Sequence, residues 1–443
     1  MKTKWNISSV LLIVILLSGC GGEKKALEPL QEGKGKIKVM CDNEASFYSQ
    51  YGDIFTIKYP NIDLEVMSTA EVERQGEDDE EMKKWIEKHK PDVLLLDAPL
   101  FASYAQEGKL YNLEEVIAEE KFDVAGYMPG VIDNLRAKGN GTLYGLAPSF
   151  TVPVLYYNRD IFEENHIELP RNKMTWQEVF DLSKRFEGIG SGENRVFGLF
   201  LDYRDTIEVL KYIAATFSLQ MFDSKAEKFL IHSDHWKRAV KLATDAVRSK
   251  TVSFDNSNSN HPDAFMEEKA AMTIDWPLRT QMFQDPGFIG GKKINWGMVT
   301  IPVDPKNPDE SLHVELPSIT AIAADSPNKP AAWAFVKFVN EPEMAKASSR
   351  AVGGPLPTRG QFLKEMDGIN TESFYMLKPT AQTSYFWYHK DVPEEFYDLC
   401  RPLLADALKA IVDNKKTVDE ALAELEVQGQ DALVKAREAK LGV

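Results

Sequence analysis

Apolar and polar residues alternate over 36–41 and 62–67, as in half-buried strands, whereas 92–96 (Asp-Val-Leu-Leu-Leu) is the continuous apolar run of a parallel strand covered on both faces. Met82, Trp85, Ile86 and His89 recur at i, i+3, i+4 and i+7 and predict an amphipathic helix behind an acidic, solvated segment, 71–81. Two further apolar runs, 143–147 and 152–157, are separated by Pro148-Ser149-Phe150-Thr151 and punctuated by Pro153. Extended chain that crosses between two lobes is the expectation there, with the short polar side chains facing a ligand.

The later pattern has readable helix starts. Thr175 with Glu178 makes a capping box ahead of Trp176, Val179, Phe180 and Phe186, and Thr417 with Glu420 makes another ahead of Leu422 and Leu425. Ser233 precedes a helix with Trp236, Ala239, Val240, Ala243 and Val247 inward. Strands are predicted over 269–275, 296–302 and 316–323, the last followed by a Pro-initiated helix over 330–340. This alternation predicts α/β architecture with mostly parallel sheets. No composition break marks a tandem linker within 36–443, so the domains are expected to be interleaved by several crossovers.

Composition adds size and surroundings. A chain of 443 residues, 43% hydrophobic and 27% charged, is long enough for two globular domains. Its formal charge of −16 repels phosphate backbones, which excludes nucleic acid as the expected partner. Lys2 and Lys4 precede an apolar run, 10–17, which is too short to span a bilayer and suits an export signal. It ends in Leu17-Ser18-Gly19-Cys20, which resembles the lipobox of bacterial lipoproteins and makes Cys20 the expected lipid anchor. Residues 1–20 then read as a lipoprotein signal peptide and 21–35 as a flexible tether holding the chain at the outer face of the cell membrane. Cys400 shares a helical stripe with Phe396, Leu399, Leu403, Leu404, Ala407, Leu408 and Ile411, which predicts a buried free thiol, although Pro402 breaks the pattern locally. A Cys41–Cys400 bridge is the alternative.

The usual spacings for nucleophile, zinc or phosphate sites are absent, and no catalytic residue, cofactor or metal is assigned. His232 and His235 lack a third ligand nearby in sequence, and the calcium-loop-like segment 255–260 lacks the glycine and glutamate such loops need. Trp85, Trp176, Trp236 and Trp333 fall on helical stripes and are expected in the core. Trp276, directly after a predicted strand in Thr-Ile-Asp-Trp-Pro-Leu-Arg, and Trp387, in an aromatic cluster over 384–390, do not. Flat aromatic faces beside Asp, Arg and Ser suit the apolar face and the hydroxyls of a sugar, so Trp276, Arg279, Trp387 and Tyr203 are candidate ligand contacts.

Several segments, in order, carry a resemblance over nearly the whole mature chain. They are 91–97 (Pro-Asp-Val-Leu-Leu-Leu-Asp), 141–148 (Gly-Thr-Leu-Tyr-Gly-Leu-Ala-Pro) with 155–160, 265–276 (Phe-Met-Glu-Glu-Lys-Ala-Ala-Met-Thr-Ile-Asp-Trp), 327–338 and 354–358. The chain resembles extracellular solute-binding proteins of the family that includes maltose-binding protein, the capture components of carbohydrate ABC importers. The resemblance implies a two-lobe periplasmic-binding-protein-like fold of type II: an α/β lobe of 36–148 with 316–362, another of 152–312 with 375–443, and a multi-crossover hinge near 149–151, 313–315 and 363–374. It implies a monomer that holds a carbohydrate in the cleft by hinge closure, works with membrane-spanning permease subunits, and catalyses nothing. Trp276 matches the family's stacking position, Ser149 and Thr151 fall on the first crossover, and Asp97 ends a strand that points into the cleft. Where maltose-binding protein has a tryptophan and then a charged pair, this chain has Leu96-Asp97-Ala98-Pro99, which puts maltose itself in doubt. A non-sugar solute such as a polyamine, a surface glycosidase with a cleft carboxylate pair, and an adhesion or scaffolding lipoprotein are the competing readings.

Overall fold

The computed structural model describes residues 26–73, 79–201, 205–254, 263–284, 293–350, 354–366, 368–380, 389 and 391–441. In chain order its strands begin with β1 (Gly35–Cys41), β2 (Ile62–Ser68), β3 (Val93–Leu96), β4 (Gly145–Leu146), β5 (Ser149–Phe150) and β6 (Val154–Asn158). They continue with β7 (Phe197–Leu201), β8 (Val252–Phe254), β9 (Ala270–Asp275), β10 (Trp296–Thr300), β11 (Glu310–Ser311), β12 (Ile319–Ile322) and β13 (Leu356–Pro357).

Ten of these strands make two five-stranded sheets, ordered β2-β1-β3-β12-β4 and β10-β6-β9-β7-β8. Each is mixed. In the first, β1 pairs parallel with β2 and β3, but β12 runs antiparallel to both β3 and β4. In the second, β7 pairs parallel with β8 and β9, whereas β6 runs antiparallel to β9 and β10. The expectation of mostly parallel sheets is therefore corrected. Strands β12 and β6 enter their sheets from a crossover rather than through a strand–helix–strand unit, so they need not run parallel to their neighbours.

Chain passages between the two sheets form a ribbon of their own. The first runs from β4 through β5 to β6, the second from β10 through β11 to β12, and β13 follows the helices after β12. Strand β5 pairs antiparallel with β13, Phe150 opposite Leu356 and Ser149 opposite Pro357. One residue on, Thr151 and Glu315 exchange both backbone hydrogen bonds at 2.9 Å. Thr358 ties the third passage to the first by donating its hydroxyl to the Ala147 carbonyl at 2.7 Å.

The helix starts follow the local chemistry. Thr175 and Glu178 form the expected capping box of Trp176–Lys184, and Ser233 caps Asp234–Arg248. Thr417 and Glu420 bond reciprocally ahead of Val418–Leu441. Trp176, Trp236 and Trp333 are buried, and Trp85 is half-buried. The helix Glu394–Val412 runs unbroken through Pro402, which removes one ladder hydrogen bond at an exposed position. Leu399, placed on the inner stripe by the sequence pattern, is 42% exposed, while Cys400 is buried. Cys41 and Cys400 are both buried and neither is in a disulfide, and burial pushes the Cys400 pKa up to about 12.

Candidate functional site

Strands β1, β2 and β3 are parallel, so their carboxyl ends lie along one edge of the first sheet, where open α/β sheets place their ligands. Asp42, Asn43 and Glu44 leave β1 there, Ser68 ends β2, and Asp97 follows β3; all five are exposed. Asp97 is also the N-cap of Ala98–Gln106, accepting from the Leu100 N–H at 2.8 Å. Asn43 caps its own helix by accepting from the Ser46 N–H at 3.0 Å. Asp42, Asn43, Glu44 and Ser68 are not singled out by the sequence pattern; only the shared edge brings them to Asp97.

The corresponding edge of the second sheet carries Trp276. Strand β9 ends at Asp275, and Trp276-Pro277-Leu278-Arg279 makes a turn closed by the Arg279 N–H on the Trp276 carbonyl at 3.0 Å, with Pro277 in the position whose fixed φ suits it. The Asp275 carboxylate accepts from the Trp276 N–H at 2.7 Å, and the Tyr156 hydroxyl reaches the Trp276 carbonyl at 3.3 Å. The indole is left partly exposed. Arg279 is 4% exposed and paired with Asp263 and, at 3.2 Å, with Asp275. Its guanidinium lies beneath the turn and fixes it.

Between the sheets, alternation along β5 sorts the first passage into two faces. Phe150 is fully buried against the Tyr375 ring, centroids 5.2 Å apart, so Ser149 and Thr151 take the opposite, partly exposed face. Glu315, the hydrogen-bonded partner of Thr151, shares that face. Burial alone raises its carboxyl pKa. Two residues earlier, His313 is buried, with its ring stacked on Tyr212 at 5.0 Å, and burial lowers its pKa to about 4.

The expected contacts thus fall into three groups: Asp97 on the first sheet's edge, Ser149 and Thr151 on the ribbon, and Trp276 with Arg279 on the second sheet's turn. Cys20, Tyr203, Trp387 and the segment 255–260 lie outside the described residues. A cavity of about 620 Å³ opens on the Tyr375 side of the ribbon, lined by Tyr127, Met128, Leu363 and Glu372 among others, and contains none of the expected contacts. Among the described residues no cluster of three or more His, Cys, Asp or Glu side chains could hold a metal ion, and His232 bonds Asp419 at 3.0 Å instead. No helix of the described residues is long and apolar enough to cross a membrane.

Known proteins bear on this geometry. A family model described as bacterial extracellular solute-binding protein matches residues 61–370. The solved structure of the sugar-binding protein MalE from Xanthomonas citri is 19% identical, with a TM-score of 0.66 over 91% of this chain and 98% of that one. A sugar transporter from Rhizobium etli in an open conformation is 19% identical, with a TM-score of 0.65 over 89% and 99%. At such identity these likenesses establish the fold, two α/β lobes. The sn-glycerol-3-phosphate-binding periplasmic protein UgpB of Brucella abortus (strain 2308) is 31% identical over 107 residues, so the chain spans about a quarter (24%) of that relative's length.

Proposed function

Because the chain belongs to the family of bacterial extracellular solute-binding proteins, we propose that it is a lipid-anchored capture protein that closes over a sugar or oligosaccharide and delivers it to an ABC importer. The observation that carries the sugar reading is Trp276: a partly exposed residue at the carboxyl edge of a sheet, on a turn held by Pro277, Asp275 and Arg279. A rigid aromatic face costs little entropy to present and suits the apolar side of a pyranose.

In this reading the lobes are 36–148 with 316–362 and 152–312 with 375–443, and they hinge near 149–151, 313–315 and 363–374. Ser149, Thr151 and Asp97 offer hydrogen bonds to ligand hydroxyls, with Tyr203 and Trp387 assigned from the sequence. Arg279 serves the site by holding the Trp276 turn. Closure buries the solute and presents a new surface to the permease. No catalytic step is needed, in keeping with relatives that are binding proteins, and the protein acts as a monomer.

Titration with mono- and oligosaccharides, read by tryptophan fluorescence and thermal melting, tests the proposal. Trp276→Ala is expected to weaken a binding sugar by about 1–3 kcal/mol, and an unchanged dissociation constant would remove Trp276 from the site. For the anchor, Cys20→Ser is expected to abolish incorporation of a radiolabelled fatty acid and to release the chain from membranes. Label retained on the variant would place the lipid elsewhere.

The local identity to sn-glycerol-3-phosphate-binding proteins favours a second reading, a phosphorylated polyol as solute. The same titration with sn-glycerol 3-phosphate separates the two.

A further inference from the structure

We propose that Glu315 is a ligand-facing carboxylate on the floor of the cleft, and that it makes the site prefer neutral or cationic polyhydroxylated ligands to anionic ones. The inference rests on the reading of the ribbon face as the cleft floor.

Thr151 and Glu315 exchange both backbone hydrogen bonds, so their side chains stand side by side on one face of the antiparallel ribbon. Phe150 marks the other face by packing on Tyr375, and Val314 and Leu316, which flank Glu315, are buried. Glu315 alone of those three is partly exposed, on the side where Ser149 and Thr151 are partly exposed too. If hydroxyl groups at 149 and 151 meet the solute, the carboxylate at 315 meets it as well.

The chemistry of Glu315 differs from that of its neighbours. No hydrogen bond or ion pair holds its carboxylate among the described residues, and burial is the whole cause of its raised pKa, with no cation offsetting it. Ligand hydroxyls can donate to such a group, and an ammonium can neutralise it. A phosphate or carboxylate would meet a like charge in a site of reduced dielectric. The exposed edge of the first sheet carries further carboxylates, Asp42 and Glu44 after β1 and Asp97 after β3.

Calorimetric titration of the chain and of Glu315→Gln, with maltotriose, a glucosamine trimer and sn-glycerol 3-phosphate as neutral, cationic and anionic probes, tests the assignment. Glu315→Gln is expected to weaken the glucosamine trimer at least about tenfold and maltotriose less, and to strengthen sn-glycerol 3-phosphate about tenfold. Equal affinities of the two proteins for every probe that binds would overturn the proposal, as would tighter binding of sn-glycerol 3-phosphate than of maltotriose by the unmodified chain. If no probe binds either protein, the sugar reading fails by itself. Glu315 is then decided by carbodiimide–glycinamide footprinting of the chain: modification at Glu315 supports an open, ligand-accessible face, and its absence overturns one.

Discussion

Arg279→Met is expected to destabilise the fold by about 3–5 kcal/mol, nearer the lower figure because its carboxylate partners keep some contact with water. The guanidinium is 4% exposed, and the Asp263 and Asp275 carboxylates that flank it are 19% and 23% exposed. Methionine keeps the length and much of the packing of the side chain, so the loss is electrostatic: the part-buried Asp263 and Asp275 carboxylates lose the guanidinium they share. Equilibrium denaturation in urea checks the magnitude. A triple replacement, Arg279→Met with Asp263→Asn and Asp275→Asn, is expected to recover most of the loss, because it removes the carboxylate charges together with the guanidinium that offset them. A single variant as stable as the unmodified protein would show that the triad contributes nothing net. The Trp276 turn is coupled to this pair, since the Asp275 carboxylate both pairs with Arg279 and accepts from the Trp276 N–H. Loss of the guanidinium should therefore also shift the indole emission of the folded variant.

This role of Arg279 has no sequence signal. Thr-Ile-Asp-Trp-Pro-Leu-Arg reads as a strand end with a cation nearby, which equally suits a ligand contact. The partner that settles its placement, Asp263, precedes the strand and is brought back only by the fold. Glu315 is hidden in the same way: its significance is a pairing with Thr151 across the ribbon, and nothing in the local run His-Val-Glu-Leu-Pro announces it. Features written in neighbouring residues were legible, above all the caps at Thr175, Ser233 and Thr417, whose donors and acceptors lie within one helical turn. The extended, Pro-punctuated chain at 148–153 and the strand running into Trp276 were legible for the same reason. Strand direction was not, because the pattern that buries β6 or β12 on both faces is the same whichever way the neighbour runs. Strand β7 carries no periodic signal: its five residues, Phe-Gly-Leu-Phe-Leu, follow a Gly-rich turn and are too few to display one.

The second passage between the lobes should also weaken in acid, by up to about 3 kcal/mol, through His313. Its ring stacks on Tyr212, and Nε2 lies 3.3 Å from both the Thr216 hydroxyl and the Tyr212 carbonyl. Thr216 is itself committed, donating to the Tyr212 carbonyl at 2.9 Å and accepting from Trp176 Nε1 at 2.9 Å. A neutral imidazole with its proton on Nε2 fits this niche, whereas the imidazolium would bury a charge there. Burial accordingly lowers the pKa from 6.5 to about 4, the bond to the Tyr212 carbonyl opposing it. Because the folded value lies below the unfolded one, the stabilisation is complete above pH 6.5 and is lost as the pH falls from there towards 4. Other carboxylates titrate in the same window, so the quantity to measure is the difference between the chain and His313→Gln. The variant should be less stable at pH 7.5, and the gap should close or reverse by pH 4.5; parallel stability curves would exclude His313 as the cause. Glu315, two residues along, carries the opposite sign. Its raised pKa, caused by burial, means that its charge costs stability above the folded value and that protonation relieves the cost as the pH falls. Glu315→Gln should therefore steepen the acid loss that His313→Gln removes, which separates the anchor of this passage from the carboxylate it presents.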